Sequence, residues 1–454
     1  MSVRLGEEVQ ALSWAVELSE VPCSCISGLK GAISHADIDD RERKAKMNHR
    51  QRPRILMLTS TLPRWDDDIE PRFVLDLARH LSEDFDVELL APHAAGAARS
   101  EILEGVQITR FRYWFPRWES VAYEGGISWR LKENPFRLLQ VPPFLWSLAW
   151  HLVRRLRREP RIDLVHSHWI IPQGLVSVML RGLSKRRVPV VCTSHGGDLF
   201  SLRGAGWRIL KRLVMQKSDA VTVVSHAMAN AAIAIAKDVN PIVIPMGTDL
   251  ASKFVPPIKP RSSVIRNLIF VGRLVEKKGV RYLLEAMAGV ATEFPFVRLK
   301  IIGHGPLRPV LEADVKRLGL GDIVSFLGPV PHHLLAVHYQ SAEVAVFPFV
   351  EAASGDQEGF GLVMVEAMGC GCIVIASDLP AVRDVICDGE TGLLVTSADP
   401  QALASSITSV LRNPKTNFAL AQRGRHYARA NFDWSASAGR FREEFLRLTE
   451  RAGS

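Results

Sequence analysis

Short, near-continuous apolar runs recur along this 454-residue chain, and helical stretches separate them. The first set of runs covers residues 54–59, 86–90, 107–112, 163–166, 189–193, 220–224 and 241–245. Helical patterns at 73–81, 142–158, 174–183 and 207–216 lie between several of them. Apolar strands that alternate with helices, rather than alternating polar with apolar, predict a parallel sheet covered on both faces. A Pro-rich stretch from Val255 to Ser263 then interrupts the pattern and reads as a linker over 256–263. A second set follows, with strands at 267–272, 298–302, 323–326, 344–348, 373–376 and 393–395. Its helices fall at 279–289, 308–318, 399–412, 417–432 and 434–451. The expected fold class is therefore α/β, with two doubly wound domains over 51–255 and 264–433 facing a central cleft. Ligands of such folds bind at the carboxyl ends of the strands.

Within this frame the most informative stretch runs from Glu358 to Glu366, Glu-Gly-Phe-Gly-Leu-Val-Met-Val-Glu. A Gly-Phe-Gly turn opens a helix at Leu362, and a helix N-terminus offers free N–H groups and a positive dipole end to an anion. Carboxylates on either side of such a turn suit a ligand with hydroxyls at both ends and phosphates between them, the shape of a nucleotide sugar. Gly272-Arg273 and Lys278-Gly279 follow the 267–272 strand. Alone, this loop is an exposed basic turn. At the same sheet edge as the Glu358 loop, it reads as two cations that hold a diphosphate without a metal.

Ser194-His195-Gly196-Gly197-Asp198 follows the 189–193 strand. This places His195 at a strand end facing the cleft, against the alternative of a satisfied turn histidine. Gly303-His304-Gly305-Pro306 lacks the full dinucleotide fingerprint and reads as structural, as do His166 and His168. The chain has neither a serine nucleophile elbow nor a phosphate loop ending in Gly-Lys-Ser/Thr, and no Asp-x-Asp pair suited to a divalent ion. No metal or other cofactor is expected. Asp66-Asp67-Asp68 reads as a solvated loop run.

Net charge is +9, which points to a phosphorylated ligand, an anionic membrane or nucleic acid. Basic residues cluster on two helices, beside Trp146 and Trp150 (Arg154, Arg155, Arg157, Arg158) and beside Trp207 (Arg203, Arg208, Lys211, Arg212, Lys217). Such faces suggest a peripheral helix at an anionic membrane, or a solvated basic face over a core-facing stripe. Scattered charge without a recognition motif argues against nucleic acid. No apolar run is long enough to span a bilayer. Six cysteines without a framework pattern read as reduced thiols, so a cytoplasmic location is expected. Cys23/Cys25 and Cys370/Cys372 lack a second pair at zinc spacing. Residues 1–50 carry no leader pattern and read as a loose extension, or as a start placed before the true one at Met47.

Taken together these motifs resemble the family 4 retaining glycosyltransferases of GT-B architecture, over nearly everything beyond residue 54. The marks are Leu62-Pro63-Arg64, Phe73-Val74-Leu75, His195 to Asp198, Arg273 with Lys278, Gly303-x-Gly305-Pro306 and the Glu358/Glu366 pair. The resemblance implies transfer of a sugar from a UDP- or GDP-sugar to a glycan or lipid-linked acceptor in envelope polysaccharide assembly. It implies that Arg273 and Lys278 hold the leaving diphosphate and that Glu358 contacts the donor sugar. Glu366 would accept from the ribose, and the backbone of Gly359, Phe360, Gly361 and Leu362 would face the phosphates and sugar. His195 would lie at the reacting face and Asp198 on the acceptor side. It also implies a metal-free reaction with retention, and a last helix that crosses back to the first half. The rivals are an epimerase of the same architecture and a nucleotide-sugar-binding module without turnover.

Overall fold

Strand β1 (Arg54–Leu58) divides its side chains between two cores: Ile55 and Met57 join one, Leu56 and Leu58 the other. Helices on both faces of a sheet produce this division, and it is why the strand reads as an unbroken apolar run. The structure, a computed structural model, describes residues 52–65, 67–184, 187–258 and 266–453. The expected extension over 1–50 with Cys23 and Cys25, Asp66, and residues 259–263 of the expected linker lie outside them.

The first sheet continues through β2 (Asp86–Pro92), β3 (Ser100–Leu103), β4 (Val106–Phe111), β5 (Leu164–His168), β6 (Val190–Ser194), β7 (Ala220–Val223) and β8 (Ile242–Val243). Their spatial order is β3-β4-β2-β1-β5-β6-β7-β8, with only β3–β4 antiparallel. The second sheet holds β9 (Arg266–Val271), β10 (Val297–Ile302), β11 (Val324–Gly328), β12 (Val344–Phe347), β13 (Ile373–Ser377) and β14 (Leu393–Val395). It is parallel throughout, in the order β11-β10-β9-β12-β13-β14. The two doubly wound α/β sheets match the expected fold class.

Among the elements that escape the sequence pattern, two do so for identifiable reasons. Strand β3 is largely exposed on a sheet edge, so burial does not pattern it. The helix His226–Ile235 is alanine-rich and lacks a sharp apolar stripe; Ser225 starts it by accepting from the Met228 N–H at 3.2 Å.

The chain passes between the sheets upstream of the Pro-rich stretch. Thr248 N–H donates to Phe432 O, and Trp434 N–H donates to Thr248 O, so the outgoing and returning segments run side by side. Asp433 Oδ2 also accepts from Leu250 N–H. The helix Trp434–Gly453 then lies on the first sheet's side. Trp434 stacks on His80, Phe445 packs edge-on to Phe85, and Arg442 pairs with Asp84 at 3.1 Å.

Loops at the carboxyl ends of the neighbouring strands β9 and β12 interlock. Val350 N–H donates to Lys277 O. Gly279 sits at φ +65°, and a Cβ there would lie 1.7 Å from Pro348 O. Only glycine fits, because both the left-handed backbone and the backbone contact exclude a side chain. Gly279→Ala is therefore expected to lower stability by about 2–4 kcal/mol, read as a fall in the urea midpoint at constant m. An unchanged midpoint would show that the interlock contributes nothing.

Candidate active site

The β9 and β12 loops meet through charge. Lys278 Nζ donates to Glu358 Oε2 at 2.6 Å, and Lys277 Nζ donates to Asp356 Oδ1 and Gln357 O at 3.1 and 3.3 Å. Glu358 and Lys278 are both largely enclosed, with 14% and 12% side-chain exposure. Burial works to raise the Glu358 pKa, but Lys278, Lys277 and the Phe360 N–H outweigh it and bring it down to about 2. Glu358 is thus a fixed anion, suited to accept from hydroxyls and unsuited to donate a proton. Arg273, on the same loop as Lys278, reaches across to Gly125 O at 3.3 Å and lies over the Trp129 ring. Its buried Nε–H finds no acceptor among the described residues.

On the first sheet, the turn after β6 brings His195 to the same place. Its ring lies between Phe73 and Trp169, with centroids at 4.8 and 5.1 Å, and its Nε2 is 2.9 Å from His168 Nδ1. Burial lowers the His195 pKa to about 3, so the imidazole is neutral near pH 7. Its neighbour Gly196 faces Gly359: a Cβ on Gly196 would lie 3.3 Å from Gly359 Cα, and one on Gly359 would lie 3.1 Å from His195 O. The paired glycines let the two backbones touch across the cleft.

Several expected site residues have partners within the protein. Asp198 lines the cleft, but its carboxylate accepts from Ile170 N–H and from Ser194 Oγ at 2.6 and 2.7 Å. Those bonds fix the turn that carries His195. The Phe360 N–H, expected to face phosphates, donates to Glu358, and the Phe360 ring packs edge-on against Phe432. Gly361 sits at φ +88° and starts the helix Leu362–Gly369 without a side-chain cap. Glu366 is 3% exposed, and both its oxygens already have partners. Asp68, read as solvated, is buried and pairs with Arg64 at 2.8 Å, because a carboxylate that leaves water needs a cation.

A cavity of about 570 Å³ opens between the sheets. Arg273, Lys277, His304 and Asp356 line one side; Glu70, Trp129, Trp169 and Asp198 line the other. The sequence reading passed over Lys277, Asp356, Glu70 and Trp129. Lys277 was legible as the neighbour of Lys278, whereas Glu70 and Trp129 stand on irregular segments without a pattern. Burial raises the Glu70 pKa, against the Glu124 N–H that donates to it. Among the described residues no cluster of three or more His, Cys, Asp or Glu could hold a metal ion, and Cys192, Cys370, Cys372 and Cys387 are buried and unbridged.

The family model described as Glycosyl transferases group 1 matches residues 261–427, and that described as Glycosyltransferase Family 4 matches residues 71–252. A D-inositol 3-phosphate glycosyltransferase of Geodermatophilus obscurus is 31% identical over 67% of this chain and 72% of its own length. The chain belongs to glycosyltransferase family 4. A GDP-mannose-dependent alpha-(1-6)-phosphatidylinositol monomannoside mannosyltransferase of Mycolicibacterium smegmatis is 27% identical over 72% of this glycosyltransferase and 88% of its own length. Among solved structures, sucrose-phosphate synthase from Thermosynechococcus elongatus superposes with a TM-score of 0.69 at 24% identity. It covers 88% of this chain and 100% of that one, which shows the shared GT-B fold.

In this glycosyltransferase the two basic helices differ from their sequence reading. Arg155 is bound to Glu88 at 2.5 Å. Lys211 is buried and donates to Leu199 O and Leu202 O. Neither is free to meet a membrane. Trp146 and Trp150, by contrast, are exposed.

The depressed Glu358 pKa has a stability consequence. Its ordinary value is 4.5 and its folded value about 2, so the pair stabilises the fold above about pH 4.5, and that contribution fades as pH falls to about 2. Glu358→Gln is expected to melt below the parent enzyme at pH 7, with the gap closing between about pH 4.5 and about pH 2. A gap independent of pH would refute the charged pair.

Proposed function

We propose that this glycosyltransferase moves a hexosyl group from a UDP- or GDP-sugar to a glycan or lipid-linked acceptor, with retention and without a metal, in cell-envelope polysaccharide synthesis. The observation that carries the donor assignment is the largely enclosed Lys278–Glu358 pair beside the Gly196–Gly359 contact. A lysine ammonium has three donors, so Lys278 can keep Glu358 and still donate to a diphosphate oxygen. Arg273, Lys277 and the uncapped start of Leu362–Gly369 add positive potential around the same position. Together they stabilise the charge that grows on the diphosphate as its bond to the anomeric carbon breaks. Ionised Glu358 accepts from the sugar's hydroxyls, and neutral His195 is available to hydrogen-bond the sugar. The acceptor hydroxyl attacks the face that the diphosphate leaves, and its proton passes to a diphosphate oxygen. The names of the relatives, a GDP-mannose-dependent phosphatidylinositol monomannoside mannosyltransferase and a D-inositol 3-phosphate glycosyltransferase, support this reading.

Glu358→Ala is expected to lower transfer at least a hundredfold in a radiolabelled assay with UDP- and GDP-hexoses, with nucleoside diphosphate Kd changed less than about threefold. Full transfer by the variant would remove Glu358 from the reaction. NMR of the first product should show the donor's anomeric configuration, and activity should survive EDTA. Inversion, or loss of activity that added divalent ion restores, would overturn those parts of the reading.

A peripheral membrane site is also proposed. Trp146 and Trp150, 74% and 57% exposed, lie one turn apart on Val141–Leu156, and Arg154 follows a turn later. Exposed Phe136, Leu138 and Leu139 precede them, and exposed Phe115 and Trp118 are tied alongside through Gln140, which donates to Trp118 O. An aromatic face flanked by Arg154, Arg157 and Arg158 fits an anionic lipid surface. Replacing Trp146 and Trp150 by alanine should weaken binding to phosphatidylglycerol vesicles about tenfold or more in a flotation assay. Equal binding would exclude this face.

A further inference from the structure

The surroundings of Glu366 form a chain of polar contacts separate from the Lys278–Glu358 pair. His332 Nε2 lies 3.0 Å from Glu366 Oε1, and Tyr339 Oη donates to Oε2 at 3.3 Å. On its far side, His332 Nδ1 lies 2.8 Å from Lys253 Nζ. An ammonium can only donate, so Nδ1 must accept and the ring's proton sits on Nε2. His332 thus aims its Nε2–H at Glu366, with Lys253 on its other ring nitrogen. Burial holds the Tyr339 hydroxyl well above its ordinary pKa, so it too remains a donor.

The aromatic packing fixes this arrangement. Phe254 lies edge-on to the His332 ring at 5.4 Å and to the Tyr339 ring at 6.1 Å. Lys253, next in the chain, lies over the Phe254 ring. His332 and Lys253 also line a second cavity between the sheets, of about 340 Å³, so the chain of contacts runs from open space to Glu366. With one proton donor on each oxygen, the Glu366 carboxylate cannot rotate, and each oxygen keeps a further lone pair.

We propose that Lys253, His332 and Tyr339 are positioning residues that hold the Glu366 carboxylate aligned for the vicinal diol of the donor's ribose. This rests on the reading of Glu366 as the ribose contact. Two acceptors held at a fixed spacing match two adjacent hydroxyls, and they lose their value for a nucleotide that lacks them. The prediction is therefore about discrimination between riboses and not about affinity alone.

The test uses the full chain and isothermal titration with GDP, UDP and their 2′,3′-dideoxy counterparts. His332→Phe keeps the ring against Phe254 and removes both nitrogens. Lys253→Met keeps the aliphatic stem and removes the donor to the His332 ring. Each is expected to weaken binding of the preferred ribonucleotide about tenfold, leave the dideoxy nucleotide within about twofold, and raise KM for the donor more than it lowers kcat. His332→Gln, which retains an amide donor toward Glu366, should recover most of the ribose preference. Glu366→Ala separates the two ideas. If it abolishes the ribose preference while His332→Phe and Lys253→Met both retain it, the positioning role is wrong and the ribose contact stands. If none of the three alters the preference, the ribose contact itself is wrong and the positioning role falls with it. Should His332→Phe fail to fold, Lys253→Met and His332→Gln decide the matter on the same ratio.

Discussion

Glu358 is an anion enclosed by protein, and the cleft is organised around keeping it so. Desolvation alone would drive the carboxyl to its neutral form. Lys278 and Lys277 prevent this, and both stand on the loop after β9, so the loops after β9 and β12 must interlock to bring them close. That interlock needs Gly279 under Pro348. The same Glu358 loop then presents Gly359 to Gly196, where the first sheet meets the second. One electrostatic requirement thus fixes the conformation of two loops and the place where the two halves touch.

The α/β class was legible because parallel strands with both faces covered must be apolar at almost every position. Strand β1 and the strands of the second sheet carry that pattern openly. Strand β5 carries it less openly: His166, Ser167 and His168 are fully buried polar residues. His166 meets Thr193 and Ser167 meets Ser177 at 2.7 Å, and His168 meets His195 at 2.9 Å. The side-by-side segments that join the halves carry no such pattern. Prolines at 256, 257 and 260 mark a break in regular structure, whereas the passage itself is a pair of extended segments at Thr248 and Asp433 that no composition signals.

At the site, the residues that declare themselves in sequence are those whose neighbours are glycines at strand ends. Arg273, Lys278, His195 and Glu358 all have such neighbours, and the structure brings them to one region. What a residue does there depends on its partners in the fold, near or distant in sequence, and the motif does not name them. Asp198 is spent on the Ile170 N–H and the Ser194 hydroxyl, and Asp68 on Arg64. Glu366 depends on Lys253, 113 positions before it, through His332. Trp129 and Glu70 enter the cavity from irregular loops whose course only packing decides.

The two segments that join the halves, at Thr248 and at Phe432–Trp434, are adjacent and hydrogen-bonded to each other. Two strips of chain side by side act as a door hinge acts: they resist shear and separation, and yield to rotation about the line through them. Opening the cleft therefore takes one angle. Such a rotation would break the Arg273–Gly125 hydrogen bond, whose partners stand on opposite leaves. A rotation of this kind would part the Gly196–Gly359 contact and leave the Lys278–Glu358 pair whole, because both partners ride on the same leaf.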